Sequence, residues 1–383
     1  MSSAENLCFK IGILGPSRVG KTSLIATILT EAEKILAGTP TRMLAVGPAT
    51  KRRIADHNND LQGSLHAGEF HPGALGGTEE PFEFHLRLDP GKDSLAVDFS
   101  LLDFPGGWID DGRRPEHRES DWEICRKWFA ESSVLILPVE STVLMEAAAS
   151  SHRRAVPSIL TIAQIAHIVR DWAKERAKRS HEPALMLLCP VKCESYFGDN
   201  GGYRDASGAL LSQVKTAYEC VLRAAAEEAN HIQVVYAPVD TLGCVERIRT
   251  TWQPDKHAPG GFDFTAEYAV RPGATLAPKG AEAVLVSLCR HLVKTRAQVQ
   301  SAILERTAEE RVRAQVTANE DCGLFGNLWM FITGERRERR GNAAAWITME
   351  ESEQRALKEL TSIIEALAER GLGSRAKVLK SDA

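Results

Sequence analysis

Residues 12–24 read GILGPSRVGKTSL, and within them Gly15 to Thr22 satisfy G-x-x-x-x-G-K-T. Four such fixed positions arise by accident in roughly one chain in a hundred of this length, so the flanks decide whether the match has meaning. Before it, Phe9-Lys10-Ile11-Gly12-Ile13-Leu14 is a short apolar run suited to a buried strand. After it, Leu24, Ile25, Ile28, Leu29, Ala32 and Leu36 recur at helical spacing. Strand, Gly-rich turn and helix is the order that phosphate binding needs. Gly15 and Gly20 allow a tight backbone whose N–H groups face phosphate oxygens, and the helix N-terminus adds its positive dipole end. The whole run Gly15, Pro16, Ser17, Arg18, Val19, Gly20, Lys21, Thr22 and Ser23 is therefore assigned to nucleotide binding. Lys21 reaches the outer phosphates, and the Thr22 hydroxyl is a ligand for Mg²⁺.

Composition limits what surrounds this loop. The 383 residues are 43% hydrophobic and 26% charged, the balance of a soluble globular chain. A formal net charge of −4 gives no general reason to expect nucleic-acid binding. The eight cysteines show no paired C-x-x-C spacing, which suits reduced structural thiols rather than a zinc site. No signal-peptide pattern and no run of about 20 apolar residues is evident, so the expected location is the cytoplasm.

Further apolar strand candidates lie at 82–89, 94–102, 133–139, 184–191 and 232–238, with helical stretches near 49–66, 157–179 and 206–229. The alternation predicts an α/β three-layer sandwich on a mostly parallel sheet. Residues 82–89 alternate strictly, with Phe82, Phe84, Leu86 and Leu88 on one face, and are expected to be a half-exposed edge strand. Residues 38–77 read as an insertion before that edge. Residues 245–279, rich in Pro and Gly, read as a long surface loop, with a last helix from about Gly280. The main domain is placed at 1–300. A helical C-terminal extension follows at 301–383, with helices at 299–319 and 349–370 and a disordered tail from about 372. Its apolar stretch, LFGNLWMFITG, is expected to pack on the main domain, and Arg336, Arg337, Arg339 and Arg340 form a solvated basic turn or an acidic-partner site.

A phosphate loop needs a carboxylate at the end of a neighbouring strand to complete its magnesium site. In SLLDFPGGW, Asp103 stands there, and Gly106 offers a backbone N–H to the outermost phosphate. Thr78, after Gly76-Gly77, is placed to close onto Mg²⁺ when a triphosphate is present and to relax on hydrolysis.

Together GPSRVGKT and LLDFPGGWIDD resemble the motifs of P-loop GTPases of the TRAFAC class, the Ras-like and translation-factor group. They are nearest to the bacterial YcjX-like and double-GTPase families. The resemblance spans roughly residues 9–300, although only the two motifs are specific. It implies a GTPase fold with an antiparallel edge strand, Mg²⁺, GTP and GDP as ligands, and a conformational cycle read by a protein effector or activator. Guanine is read in that class by N/T-K-x-D, where this chain has Val191-Lys192-Cys193-Glu194. The likeness implies that Lys192 packs its stem on the base and that Glu194 accepts from guanine, while Val191 loses the amide that ties this loop to the phosphate loop. Val239 and Asp240, with Thr241, occupy the place of a backbone contact to the base. The water-orienting Gln of many relatives is replaced by Gly107. Catalytic roles thus fall to Lys21, Thr78, Gly106 and Arg18, with Arg113 and Arg114 as further cationic candidates and self-association or a partner as accelerant. An ATP-using enzyme and a nucleotide-holding scaffold with little turnover remain as alternatives.

Overall fold

A computed structural model describes residues 7–37, 39, 41–66, 69–70, 77–89, 96–200, 205–255, 261–273, 275–310, 362 and 364–381. The first half contains β1 (Leu7–Ile13), α1 (Lys21–Leu36), β2 (Arg42–Ala45), α2 (Pro48–His66), β3 (Glu69–Phe70), β4 (Phe82–Asp89), β5 (Val97–Asp103), α3 (Glu119–Glu131) and β6 (Val134–Glu140). It continues with α4 (Ser141–Met145), α5 (Ser150–Ile159), α6 (Ile162–Ala177), β7 (Ala184–Val191), α7 (Ser207–Ala217), α8 (Glu219–Glu228) and β8 (Ile232–Tyr236). Last come β9 (Val245–Pro254), β10 (Phe262–Val270), α9 (Ala281–Glu310) and β11 (Lys377–Lys380).

Eight strands form one sheet in the order β11-β8-β7-β6-β1-β5-β4-β2. Its centre, from β8 to β5, is parallel, while β4, β2 and β11 join antiparallel. The central strands are buried on both faces, which is why they read as continuous apolar runs. Successive residues separate into two cores. Leu185, Leu187 and Cys189 of β7 pack with α1 and α9, whereas Ala184, Met186 and Leu188 pack with residues of α3, α6 and α8. The fold is α/β, with helices on both faces of a mixed sheet.

Several expectations change. The strand at 82–89 forms with its alternation intact, Phe84, Leu86 and Leu88 being buried, but it is not an edge. Arg42–Ala45 pairs outside it, a four-residue strand too short to announce itself by periodicity. Residues 245–279 are not a loop. Two β-rich runs, carrying Val245, Ile248, Thr250, Thr251 and Trp252, then Phe262, Phe264 and Tyr268, pair as β9 and β10 with β3 in a second, three-stranded sheet. The Pro and Gly residues that suggested a loop fall mainly between and after those strands.

The helix expected at 206–229 divides at Tyr218, and that at 157–179 divides at Thr161, where φ is 50°. The C-terminal boundary falls inside a helix, because α9 runs unbroken from Ala281 to Glu310. The tail expected to be disordered instead supplies β11 to the main sheet, pairing antiparallel with β8. Of the helix expected at 349–370, residues 364–369 are helical. The LFGNLWMFITG stretch and Arg336, Arg337, Arg339 and Arg340 lie outside the described residues. No helix among the described residues is long and apolar enough to cross a membrane.

The core shared by α3, α6 and α8 contains Trp172, which is 1% exposed and donates from Nε1 to the Ser132 carbonyl at 2.8 Å. Truncating a buried Trp costs about 3–5 kcal/mol. Trp172→Ala should lower unfolding free energy by that amount in urea titration.

Candidate functional site

Parallel pairing of β1 with β5 places Gly12 beside Leu102, so the loop after β1 and Asp103 emerge at the same end of adjacent strands. That is the end where open α/β sheets bind ligands. Helix α1 begins at Lys21, preceded by Gly20 at φ 107°, a left-handed geometry that favours glycine. Arg18 and Lys192 also have positive φ, at 61° and 53°, two of the three non-glycine residues so placed among the described residues. Strain of this kind is retained where surrounding structure enforces it, often at ligand sites.

Residues of the two motifs and Thr78 come together in space. Thr22 Oγ1 donates to Asp103 Oδ2 at 2.8 Å, and Thr78 Oγ1 donates to the same oxygen at 2.9 Å. These three groups are 81 and 25 residues apart in the chain. Asp103 is fully buried, and its Oδ1 has no hydrogen-bond partner. Lys21 Nζ lies 3.2 Å from the Gly15 and Pro16 carbonyls, and burial pushes its pKa down, an effect that Asp103 partly offsets. Lys21 offers a buried cation and Asp103 a buried carboxylate oxygen without a partner, groups whose chemistry suits an anion and a hard cation respectively. One carboxylate and two hydroxyls are oxygen donors of the kind Mg²⁺ takes. Among the described residues, no cluster of three or more His, Cys, Asp or Glu offers a different metal site.

Gly106 packs against the loop itself. A Cβ there would lie 2.2 Å from the Ser17 nitrogen and 2.5 Å from the Pro16 oxygen, whereas one on Gly107 would meet only Ser17 Oγ at 3.6 Å.

A cavity of about 300 Å³ opens over these groups, at the lower end of small-ligand sites. Residues 17–23, Thr78, Gly106, Val191 and Lys192 line it. Its far wall was not evident from sequence. Helix α2 presents Arg53, Asp56, His57 and Asp60, four positions on one helical face, and Leu61 and Phe70 continue that wall. His57 Nε2 is 3.0 Å from Ser23 Oγ, joining α2 to α1, and burial lowers the His57 pKa. Only the insertion's length and the helical spacing of these polar residues could have signalled the wall.

The residues expected to meet a base are arranged differently. Lys192 Nζ donates to the Arg18 carbonyl at 2.9 Å and pairs with Glu140 at 2.8 Å. The lysine thereby makes the tie to the phosphate loop that Val191 was expected to lose. Glu194 does not line the cavity. Its Oε1 accepts from the Leu242 and Gly243 N–H groups at 3.2 and 3.5 Å, while Oε2 is buried without a partner. Burial, reinforced by the nearby Asp240 charge, raises its pKa to about 7.

Val239 and Asp240 do not line the cavity either. Val239 donates its N–H to the Pro190 carbonyl at 2.8 Å, and Asp240 accepts from Cys193, Asn200 and Arg375. Thr241 and Leu242, one and two residues beyond Asp240, form the wall in their place. The described cysteines 125, 189, 193, 220, 244 and 289 are free thiols.

Of the cationic candidates, Arg18 is exposed at the cavity. Arg114 is held away from it, its side chain 8% exposed and bonded to the Trp108 carbonyl, Asp111 and Glu119. Arg113 pairs with Asp110 at 3.4 Å. Neither lines the cavity. Models of known protein families and curated protein sequences give no match to this chain. The site is therefore defined by its own geometry: an α/β sheet whose strand-end loop, buried carboxylate and two converging hydroxyls surround a cavity.

The Gly106 contact gives a sharp contrast. Gly106→Ala should destabilise by about 1–3 kcal/mol through overpacking against backbone, while Gly107→Ala should stay within about 0.5 kcal/mol. Urea unfolding of the two variants checks this.

Proposed function

We propose that this chain is a P-loop GTPase of the TRAFAC type, a magnesium-dependent switch that binds and hydrolyses GTP in the cytoplasm and acts through a protein partner. The observation that carries the reading is the convergence of Thr22 and Thr78 on Asp103 beside buried Lys21. In this reading Thr22, Thr78 and Asp103 hold Mg²⁺, which supplies charge neutralisation between the outer phosphates. Lys21 trades its carbonyl partners for phosphate oxygens. Gly106 presents its N–H toward the terminal phosphate, and the Thr78 and Gly106 loops respond together. Glu80 and Arg118 join those loops by an ion pair at 2.9 Å, so release of Thr78 is felt beyond Gly106.

Guanine is supported by Glu194 Oε2, a buried acceptor without a donor, next to the wall formed by Thr241 and Leu242. The turning of that carboxylate out of the cavity favours a second reading, a triphosphatase indifferent to the base. Calorimetric comparison of GTP, GDP, ATP and ADP, with and without Mg²⁺, decides between them. Asp103→Ala should abolish the response to Mg²⁺ and Lys21→Ala the tight triphosphate binding. Equal affinities in all three proteins would end the assignment. Because guanine's donors require the ionised carboxylate, GTP affinity should rise as pH rises through about 7, by up to roughly tenfold per unit below that value. ATP affinity should not follow.

Gly107 has no side chain with which to orient water, so intrinsic turnover is slow. Arg18 and Arg53 are the arginines lining the cavity, and a positioned arginine contributes about 10³- to 10⁵-fold in phosphoryl transfer. Single-turnover hydrolysis should fall at least about tenfold in Arg18→Ala or Arg53→Ala, within that range. Arg113→Ala should leave it unchanged.

A further inference from the structure

The base-side wall is bolted from behind by a residue near the end of the chain. Arg375, whose side chain is 8% exposed, donates from Nη1 to Asp240 Oδ2 at 2.7 Å. Its Nε donates to Asp199 Oδ2 at 2.9 Å, and Nη2 bonds the other oxygen of Asp199. The guanidinium also lies 4.1 Å from the Phe197 ring centroid. Asp240 is fully buried and additionally accepts from Asn200 Nδ2 at 2.9 Å and Cys193 Sγ at 3.0 Å.

Arg375 thus joins two segments that reach the site separately, residues 193–200 and 240–243. Thr241 and Leu242 within the second segment, and Lys192 just before the first, line the cavity. Glu194 fastens the same turn through the Leu242 and Gly243 N–H groups. A buried carboxylate needs its cation, since removing one partner of such a pair leaves an uncompensated charge. Without Arg375 the turn at 240–243 must rearrange to hydrate Asp240.

The element that brings Arg375 there is slight. Strand β11 has four residues, an irregular register between Val378 and Lys380, and an edge position with Val378 43% exposed. Short edge elements with few buried apolar contacts open at low free-energy cost.

We infer that the C-terminal strand is a strap that sets nucleotide affinity from the base side, with Arg375 as the positioning residue acting through Asp240 and Asp199. The inference rests on the nucleotide-binding reading of the cavity. Coupling is reciprocal: a docked strap favours nucleotide, and bound nucleotide favours docking. A factor that captures the strap weakens nucleotide binding without touching the phosphate loop.

The test uses the full chain with two probes, GDP and inorganic pyrophosphate, each with Mg²⁺. Pyrophosphate engages the loop but not the base wall. Arg375→Ala should weaken GDP at least about tenfold and leave pyrophosphate affinity within about twofold. Equal losses for both probes, or no loss for either, overturn the inference. Hydrogen exchange on the wild-type chain decides independently of how the variant folds: GDP should slow exchange at residues 377–380, and no change there overturns the strap. If the wild type binds neither probe, the nucleotide-site reading falls and the strap with it. If it binds GDP and Arg375→Ala binds equally, only the strap falls.

Discussion

Asp103 is the group around which the site is arranged. A fully buried carboxylate is costly unless its oxygens are satisfied, and here one oxygen receives two hydroxyls while the other receives none. The strand that ends in Asp103 is pinned on one side by β1 in parallel and on the other by β4 in antiparallel register. Those pairings fix where Thr22 and Thr78 arrive, one from each neighbour. The phosphate loop, the Thr78 loop and the Gly106 turn therefore share one small space because they share one strand. Gly106 sits so close to the Pro16–Ser17 backbone that no side chain fits between them.

Around this centre the chain builds two walls that do not belong to the central sheet. Helix α2 is anchored by Ile54 in the main core and by His57 on Ser23, so Arg53 and Asp56 are held over the phosphate loop by a packed element. Leu61 and Phe70 cluster with Leu242, Val245 and Tyr268, which makes the second sheet continuous with the base-side wall. The hairpin β9–β10 and the insertion thus depend on each other, although about 180 residues separate them in sequence. The insertion lines the cavity directly, through Arg53, Asp56, His57, Asp60, Leu61 and Phe70, while the hairpin reaches it only through its packing on Leu61, Phe70 and Leu242.

The base side shows how a carboxylate's surroundings decide its use. Glu194 directs one carboxylate oxygen to the Leu242 and Gly243 N–H groups. Lys192, freed from no duty by the missing amide, spends its amine on the Arg18 carbonyl and Glu140. Asp240, close in sequence to the cavity wall, is turned into a buried cluster with Cys193, Asn200 and Arg375. Each side chain has the chemistry to meet a base, and the partners around it determine whether it does.

What was legible in the sequence is what short-range pattern encodes. The strand before Gly15, the helix after Thr22, the apolar strands and the placing of Asp103 at a strand end all follow from periodicity and turn chemistry within about a dozen residues. The arrival of Thr78 beside Asp103 was legible because a glycine pair and a cleanly alternating strand bracket it in the sequence. The alternation of 82–89 identified a strand but not its neighbours, since β2 is too short to carry a period. The hairpin at 245–270 was hidden because Pro and Gly in its turns dominate the composition of the whole segment. Arg53 and His57 on the cavity wall, the turning away of Glu194 and Asp240, and the docking of Arg375 were decided by tertiary structure alone. Each depends on partners brought together by sheet order and helix packing, 34 residues away for His57 and Ser23 and 135 for Arg375 and Asp240. Local sequence specifies which groups a segment can offer. Only the assembled sheet and the helices packed on it determine which of them face the same cavity.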